Sequence, residues 1–271
     1  WVVAHAQTSV ELSTAMLYRF GERARLRFRS QRLPLAIHVG PSLLSEADLH
    51  VYESMRSAGR VRVVLVEPNP RLIGRLQQRI YSVGIDLGDV TVLNKAVCRT
   101  DAQKMSFHRY SAKLLEDFPE AAEMLDKMEE WGTMEGPEFL LHDISSKTEY
   151  LWKRLPGSTE PRWEDYVEEV EVPCITPSRL LASLAAQPED VDFAIIDAEG
   201  LDVEIVHTLL GLRGFQPAVL QFEWVHASHN LTGRVRGIEE RAIRILRFLA
   251  RKHYSLERAG VDIVAMAPPE A

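Results

Sequence analysis

Short runs of consecutive apolar residues, each closed by a polar or glycine-bearing turn, organise most of this chain. Leu35-Ala-Ile-His-Val-Gly40, Val61-Arg-Val-Val-Leu-Val66 and Val90-Thr-Val-Leu93 are near-continuous hydrophobic stretches. Runs of this kind are what strands buried on both faces look like. Between them, residues 45–56 and 72–83 repeat their apolar positions at helical spacing. The alternation resumes further on. It predicts a helix over 178–186, a strand over 191–196, a helix over 203–212, a strand over 218–222 and a long amphipathic helix over 238–252. Strands that alternate with helices imply right-handed crossovers and a mostly parallel sheet with helices on both faces. The last two runs, 254–258 and 261–266, are close enough to pair as an antiparallel hairpin around Gly260.

Two segments fall outside this rhythm. Arg19, Arg23, Arg25, Arg27, Arg29 and Arg32 crowd together, and Arg23-Ala-Arg-Leu-Arg-Phe-Arg29 alternates strictly. A period of two predicts a half-exposed strand or extended arm. Residues 1–34 therefore read as a basic N-terminal arm or cap, ahead of one domain over 35–271. The arginines suit either an anionic substrate or membrane surface, or an edge lying against an acidic body; the second is favoured. The other segment is about 103–172. A helix is expected over 111–130, with Leu114, Leu115, Phe118, Met124, Leu125 and Met128 as its apolar face. Residues 131–165 are rich in Gly, Pro and Trp without periodicity. The segment reads as an insertion in the domain, serving as a lid, as substrate contacts or as a packed elaboration.

Composition narrows the picture. A chain of 271 residues with 46% hydrophobic content can build one decorated α/β domain with a sizeable core. Its formal net charge of -7 argues against a nucleic-acid binder, which needs clustered positive charge. No uninterrupted apolar stretch approaches the roughly 20 residues that span a bilayer. Cys98 and Cys174 are either free thiols or a single bridge. The first residue is Trp1, as in a processed or truncated chain, so the sequence leaves the compartment open.

Ligands of open parallel sheets bind in the crevice beyond the carboxyl ends of the strands. The residues just past each strand, His38–Ser42, Glu67–Asn69, Asn94–Ala96, Asp197–Gly200 and Glu223–His226, are polar or acidic again and again. Glu67 is the most interpretable. An ionised carboxylate only accepts hydrogen bonds, and past the second strand it can accept two from a ribose diol. It can equally be an acid favoured by the dipole of the following helix.

The constellation resembles the FkbM family of methyltransferases. The resemblance rests on Val66-Glu-Pro-Asn-Pro70, Val90-Thr-Val-Leu-Asn-Lys-Ala-Val97, Ile175-Thr-Pro-Ser-Arg-Leu-Leu181, Val191-Asp-Phe-Ala-Ile-Ile-Asp-Ala-Glu-Gly200 and Leu220-Gln-Phe-Glu223. It implies a class I, Rossmann-like methyltransferase fold: a seven-stranded, mostly parallel sheet closed by a terminal antiparallel hairpin. It also implies S-adenosylmethionine as cofactor and a hydroxyl on a small molecule or glycan as acceptor. By the same resemblance Glu67 is the ribose ligand, Asn94 and Ala96 flank the adenine, and Asp197 faces the methionine end or the acceptor. His38, Gly40 and Asn69 complete the expected cofactor set. Asp197, Glu199, Glu223 and His226 are the candidate bases, and no metal is expected, although Asp197, Glu199 and Glu223 offer hard oxygen ligands.

Two departures stand out. Where the family has Asp-x-Gly-Ala-Asn-x-Gly, this chain reads His38-Val-Gly-Pro-Ser-Leu-Leu44. Pro41 removes a backbone donor, and Leu44 brings a side chain to a glycine position. Where the family has Lys before its Ile-Asp pair, this chain has Ile195. These changes raise an alternative: a non-catalytic binding or scaffold module whose loop no longer holds the cofactor. A nicotinamide-dependent oxidoreductase fits less well, because the first loop lacks the Gly-x-Gly-x-x-Gly series.

Overall fold

A computed structural model of the chain describes residues 9–82, 89–100, 103–118, 132–133, 137, 140–141, 161–198, 200–224, 236–260 and 262–269. The first elements are α1 (Ser9–Arg29), β1 (Leu35–Val39), α2 (Glu46–Ala58), β2 (Arg62–Val66), α3 (Leu72–Ser82) and β3 (Val90–Leu93). Next come β4 (Ala96–Val97), β5 (Lys104–Tyr110), α4 (Lys113–Asp117), β6 (Gly132–Thr133) and β7 (Val167–Ile175). The remainder is α5 (Pro177–Ser183), β8 (Val191–Ile196), α6 (Asp202–Leu210), β9 (Val219–Glu223), α7 (Arg236–Arg251), β10 (Ser255–Ala259) and β11 (Asp262–Met266).

Seven strands form the main sheet in the order β10-β11-β9-β8-β1-β2-β3. The five from β9 to β3 are parallel, and at one edge β11 pairs antiparallel with both β9 and β10. All residues of the central strands β1 and β8 are buried, which is why they read as unbroken apolar runs. One face packs under α5, α6 and α7 through Leu180, Val206 and Leu249. The other packs under α1, α2 and α3 through Phe20, Met55 and Leu76.

The arginine-rich segment is not the strand or extended arm that its alternation predicts. It belongs to the 21-residue helix α1. Met16, Phe20 and Ala24 recur every fourth residue and are buried, and the Phe20 ring meets Phe193 edge-on at 6.0 Å between centroids. That spacing of four outweighs the period-two pattern, because it is the one that buries apolar surface. The arginines do meet acids: Arg27 and Arg23 pair with Asp192, and Arg32 with Asp190.

Four strands between residues 96 and 175 form a second sheet, in the order β4-β7-β5-β6. Its backbone is the antiparallel pair β5–β7, from Lys104 opposite Pro173 to Tyr110 opposite Val167. A disulfide joins Cys98 to Cys174, with Cα atoms 6.0 Å apart, so the open choice between thiols and a bridge resolves to a bridge. Of the helix expected over 111–130, α4 covers Lys113–Asp117; residues 119–130 lie outside the described residues.

Candidate active site

The carboxyl ends of β1, β2 and β8, together with Gln221 in the middle of β9, open on one cavity of about 520 Å³. That is within the range of small-molecule and cofactor sites. Its floor is the junction of β1 and β8. Gly40 sits there at φ +71°, and a Cβ at that position would fall on the Asp197 carbonyl oxygen. The glycine is therefore required by the approach of the β8 backbone, which Asp197 N–H reinforces by donating to Val39 O at 2.9 Å. Asp197 itself is exposed at the rim and lines the cavity.

Glu67 is 4% exposed, and both of its carboxylate oxygens are fixed by backbone donors. Ser42 N–H donates to Oε2 at 3.0 Å and Asn69 N–H to Oε1 at 2.7 Å. Asn94 supports the same turn from behind, its Nδ2 donating to the carbonyls of Glu67 and Pro68 at 2.9 and 3.0 Å. Ala96 and Val97 continue the wall, and the second sheet closes it with Phe107 and Gly132. A Cβ on Gly132 would enter the Phe107 ring, so that glycine makes room for the aromatic wall.

Across β1, the wall becomes polar and faces α2. His38 is 3% exposed, and its Nδ1 lies 2.9 Å from the Tyr52 hydroxyl. Burial lowers the imidazole pKa to about 4, with Asp48 acting in the opposite direction. Asp262 accepts from Gln221 Nε2 at 2.8 Å. Burial raises its pKa, the Gln221 bond lowers it, and Glu223 and Asp48 add to the rise. Behind the rim, Asp202 accepts from Ala198 N–H at 2.9 Å and Gly200 N–H at 3.1 Å, bracing the turn after β8. Burial pushes its pKa up to about 7, against those backbone bonds and with Glu223 adding to the rise.

Five of the residues named from the sequence thus share the cavity wall: His38, Gly40, Glu67, Ala96 and Asp197. Asn94 serves the turn rather than the wall. Asn69 is fully buried, with its Oδ1 accepting from Arg71 N–H and from Arg109 Nη1 at 2.9 Å, so that oxygen is spent on these two arginines. Glu223 stands next to Asp262 in the β9–β11 register and outside the wall. Glu199 and His226 lie outside the described residues. Sequence reasoning did not single out Asp48, Tyr52, Asp202, Gln221 or Asp262. Only Asp48 carried a signal, as the third residue after Ser45 in a capping box at the start of α2. Among the described residues no group of three or more His, Cys, Asp or Glu side chains is arranged to hold a metal ion.

The model of the methyltransferase FkbM domain matches residues 45–256. The chain belongs to the FkbM methyltransferase family. Among solved structures, it is similar to the SAH-bound methyltransferase PaMTH1 of Podospora anserina, with 13% identity and a TM-score of 0.39 over 97% of this chain and 80% of that one. No curated protein sequence matches it.

Both departures from the FkbM pattern have a local setting. His38 and Ile195 are direct partners in the β1–β8 register, so the two altered positions are neighbours. Here that pair is a buried imidazole beside an apolar chain. Leu44 keeps a left-handed backbone at φ +60°, the conformation a glycine adopts without strain, and its side chain is 4% exposed in the core beneath α1 and α2. The cavity stays open beside it.

Proposed function

We propose that this FkbM-family chain transfers a methyl group from S-adenosylmethionine to a hydroxyl oxygen of a small molecule or glycan. The observation that carries the reading is the convergence of Gly40, Glu67 and Asp197, distant in sequence, on one cavity at the carboxyl rim of the sheet. The residues present fit the cofactor. Glu67 offers a fixed, acceptor-only carboxylate for a ribose diol. Pro68, Ala96, Val97 and Phe107 give an apolar end for a purine ring. The wall also carries Asp48, Asp197 and Asp262 and, among the described residues, no Lys or Arg. Such a wall favours a cationic ligand, and a sulfonium with an ammonium group is one.

Bound S-adenosylmethionine supplies a reactive methyl electrophile. The protein's share is to hold the acceptor in line and to remove its proton. Asp197, exposed at the rim, is the base assigned here, with Glu199, Glu223 and His226 as the other candidates. The reading is tested by calorimetry and thermal shift with S-adenosylmethionine and S-adenosylhomocysteine. A ligand that binds only the native state adds about 2.7 kcal/mol at a hundred times its dissociation constant, so the melting temperature must rise. Absence of any shift at millimolar ligand would return the scaffold reading. Asp197→Asn is expected to keep cofactor binding and lose turnover; unchanged turnover removes Asp197 from its role.

A further inference from the structure

The loop between β1 and α2 faces the cavity, yet it has few backbone donors left for an anion. Gly40 N–H donates to Val66 O, Leu44 N–H to Pro41 O, Ser42 N–H to Glu67 and Ser45 N–H to Asp48. Pro41 has none. On the β8 side, Asp197 N–H is spent on Val39 O and Ala198 N–H on Asp202. An α-amino acid carboxylate placed in this part of the cavity must find a donor elsewhere, since a buried anion without hydrogen bonds is strongly disfavoured.

His38 is that donor. Its side chain is almost wholly buried and the residue lines the cavity; its Nδ1 is engaged by Tyr52, while its Nε2 has no protein partner among the described residues and is not fully enclosed. The tautomer follows from Tyr52. Tyr52 is 4% exposed, and its hydroxyl has His38 as its one hydrogen-bond partner among the described residues. Burial, with Asp48 adding, keeps it protonated far above the ordinary tyrosine range. A buried O–H is satisfied only by donating, so Tyr52 donates to Nδ1, and the imidazole proton resides on Nε2. Asp48 and Asp262 line the same end as acceptors. A neutral N–H donor beside carboxylate acceptors matches a zwitterionic amino acid, carboxylate to the first and ammonium to the second.

We propose that the His38–Tyr52 pair holds the carboxylate of the cofactor's methionyl end through Nε2–H, with Tyr52 as the positioning residue that fixes the tautomer. This deepens the cofactor reading above and rests on it. Binding of S-adenosylhomocysteine and of 5′-methylthioadenosine, which lacks the amino acid end, is measured by calorimetry. His38→Leu is expected to weaken S-adenosylhomocysteine by about ten- to a hundred-fold, the loss of one charge-assisted hydrogen bond, and to leave methylthioadenosine unchanged. His38→Gln, which restores an N–H at similar reach, is expected to recover most of the loss. Tyr52→Phe is expected to show the His38→Leu pattern in weaker form. In the wild-type protein, ¹⁵N spectra of His38 should show the Nε2–H tautomer, a readout that needs no ligand.

Equal weakening of both ligands by His38→Leu, no weakening of either, or an Nδ1–H tautomer overturns the proposal while the cofactor reading stands. Wild-type protein that binds neither ligand fails the cofactor reading itself and this proposal with it.

Discussion

Single side chains here are tuned by burial more than by partners, and the clearest consequence is in their response to pH. Asp202 titrates at about 7 in the folded chain against an ordinary value of 3.8, so the native state holds its proton where the unfolded chain has released it. Its contribution to stability therefore falls as pH rises from about 4 to about 7. His38 works in the other direction. Its pKa drops from 6.5 to about 4, so the unfolded chain takes up the proton first, and stability is lost as pH falls through the same window. In the wild type the two slopes oppose each other. Asp202→Asn removes one of them, so the melting temperature of the variant minus that of the wild type is expected to grow steadily from pH 4 to pH 7. A difference that stays flat across that window would mean Asp202 is not the buried acid described here. The same residue shows the limit of reading a site from sequence. Strand-end logic found His38, Gly40, Glu67 and Asp197, because parallel strands place their last residues at one rim. Asp202 escaped it by standing at the first position of a helix, with its oxygens turned back to the strand-end turn. Asp262 escaped it because β11 is antiparallel, which puts the start of that strand, not its end, at the rim. Gln221 escaped it because it lies in the middle of β9, not at its end, yet lines the cavity.

Among the elements, the parallel strands and most helices were legible, because two-sided burial leaves continuous apolar runs and one-sided burial leaves a period near four. The failures have the same physical origin. In α1 the arginines at 23, 25, 27 and 29 look like one face of a strand, but Arg25 and Arg29 are solvent-exposed, while Arg23 and Arg27 reach across to Asp192. In β7 the glutamates at 168, 169 and 171 masked a strand whose inward residue Val172 is buried against Phe107 and Ala96. The Asp192 carboxylate is fully buried, and Arg27 Nε lies 3.0 Å from one of its oxygens. The pair fastens α1 to the amino end of β8. Removing Arg27 takes the hydrogen-bonded partner from a buried carboxylate and leaves it only the more distant Arg23, at 3.6 Å, so Arg27→Ala is expected to cost about 2 kcal/mol, read from the urea midpoint. Arg25→Ala, on the exposed side of the same helix, is expected to stay within about 0.5 kcal/mol of the wild type. Equal effects for the two substitutions would rule out the fastening role.

For the molecule as a whole, the cavity belongs to two sheets at once. The main sheet supplies its floor and acidic rim, and the second sheet closes the apolar end with Phe107 and Gly132. The two are joined where β4 follows β3, and β4 pairs with β7 through only Ala96–Cys174 and Val97–Ile175. Two register pairs are a weak hinge for a wall that must stay in place, and the Cys98–Cys174 bridge sits directly on it. The bridge joins cysteines 76 residues apart in sequence, so it restricts the unfolded chain as well as the hinge. Loop-closure entropy for a span of this length gives roughly 4 kcal/mol, and removal of native bridges generally costs about 2–5 kcal/mol. Cys98→Ser with Cys174→Ser is expected to lower the urea midpoint by that amount, and reductant is expected to do the same to the wild type but nothing to the double variant. The comparison separates the bridge from the packing of the side chains, since Cys98 is buried and a serine there changes its surroundings without any covalent link. If reductant leaves the wild-type midpoint unmoved while alkylation shows that the thiols have been freed, the bridge adds nothing to the union of the two sheets, and the packing of Ala96, Phe107 and Val172 must hold them together alone.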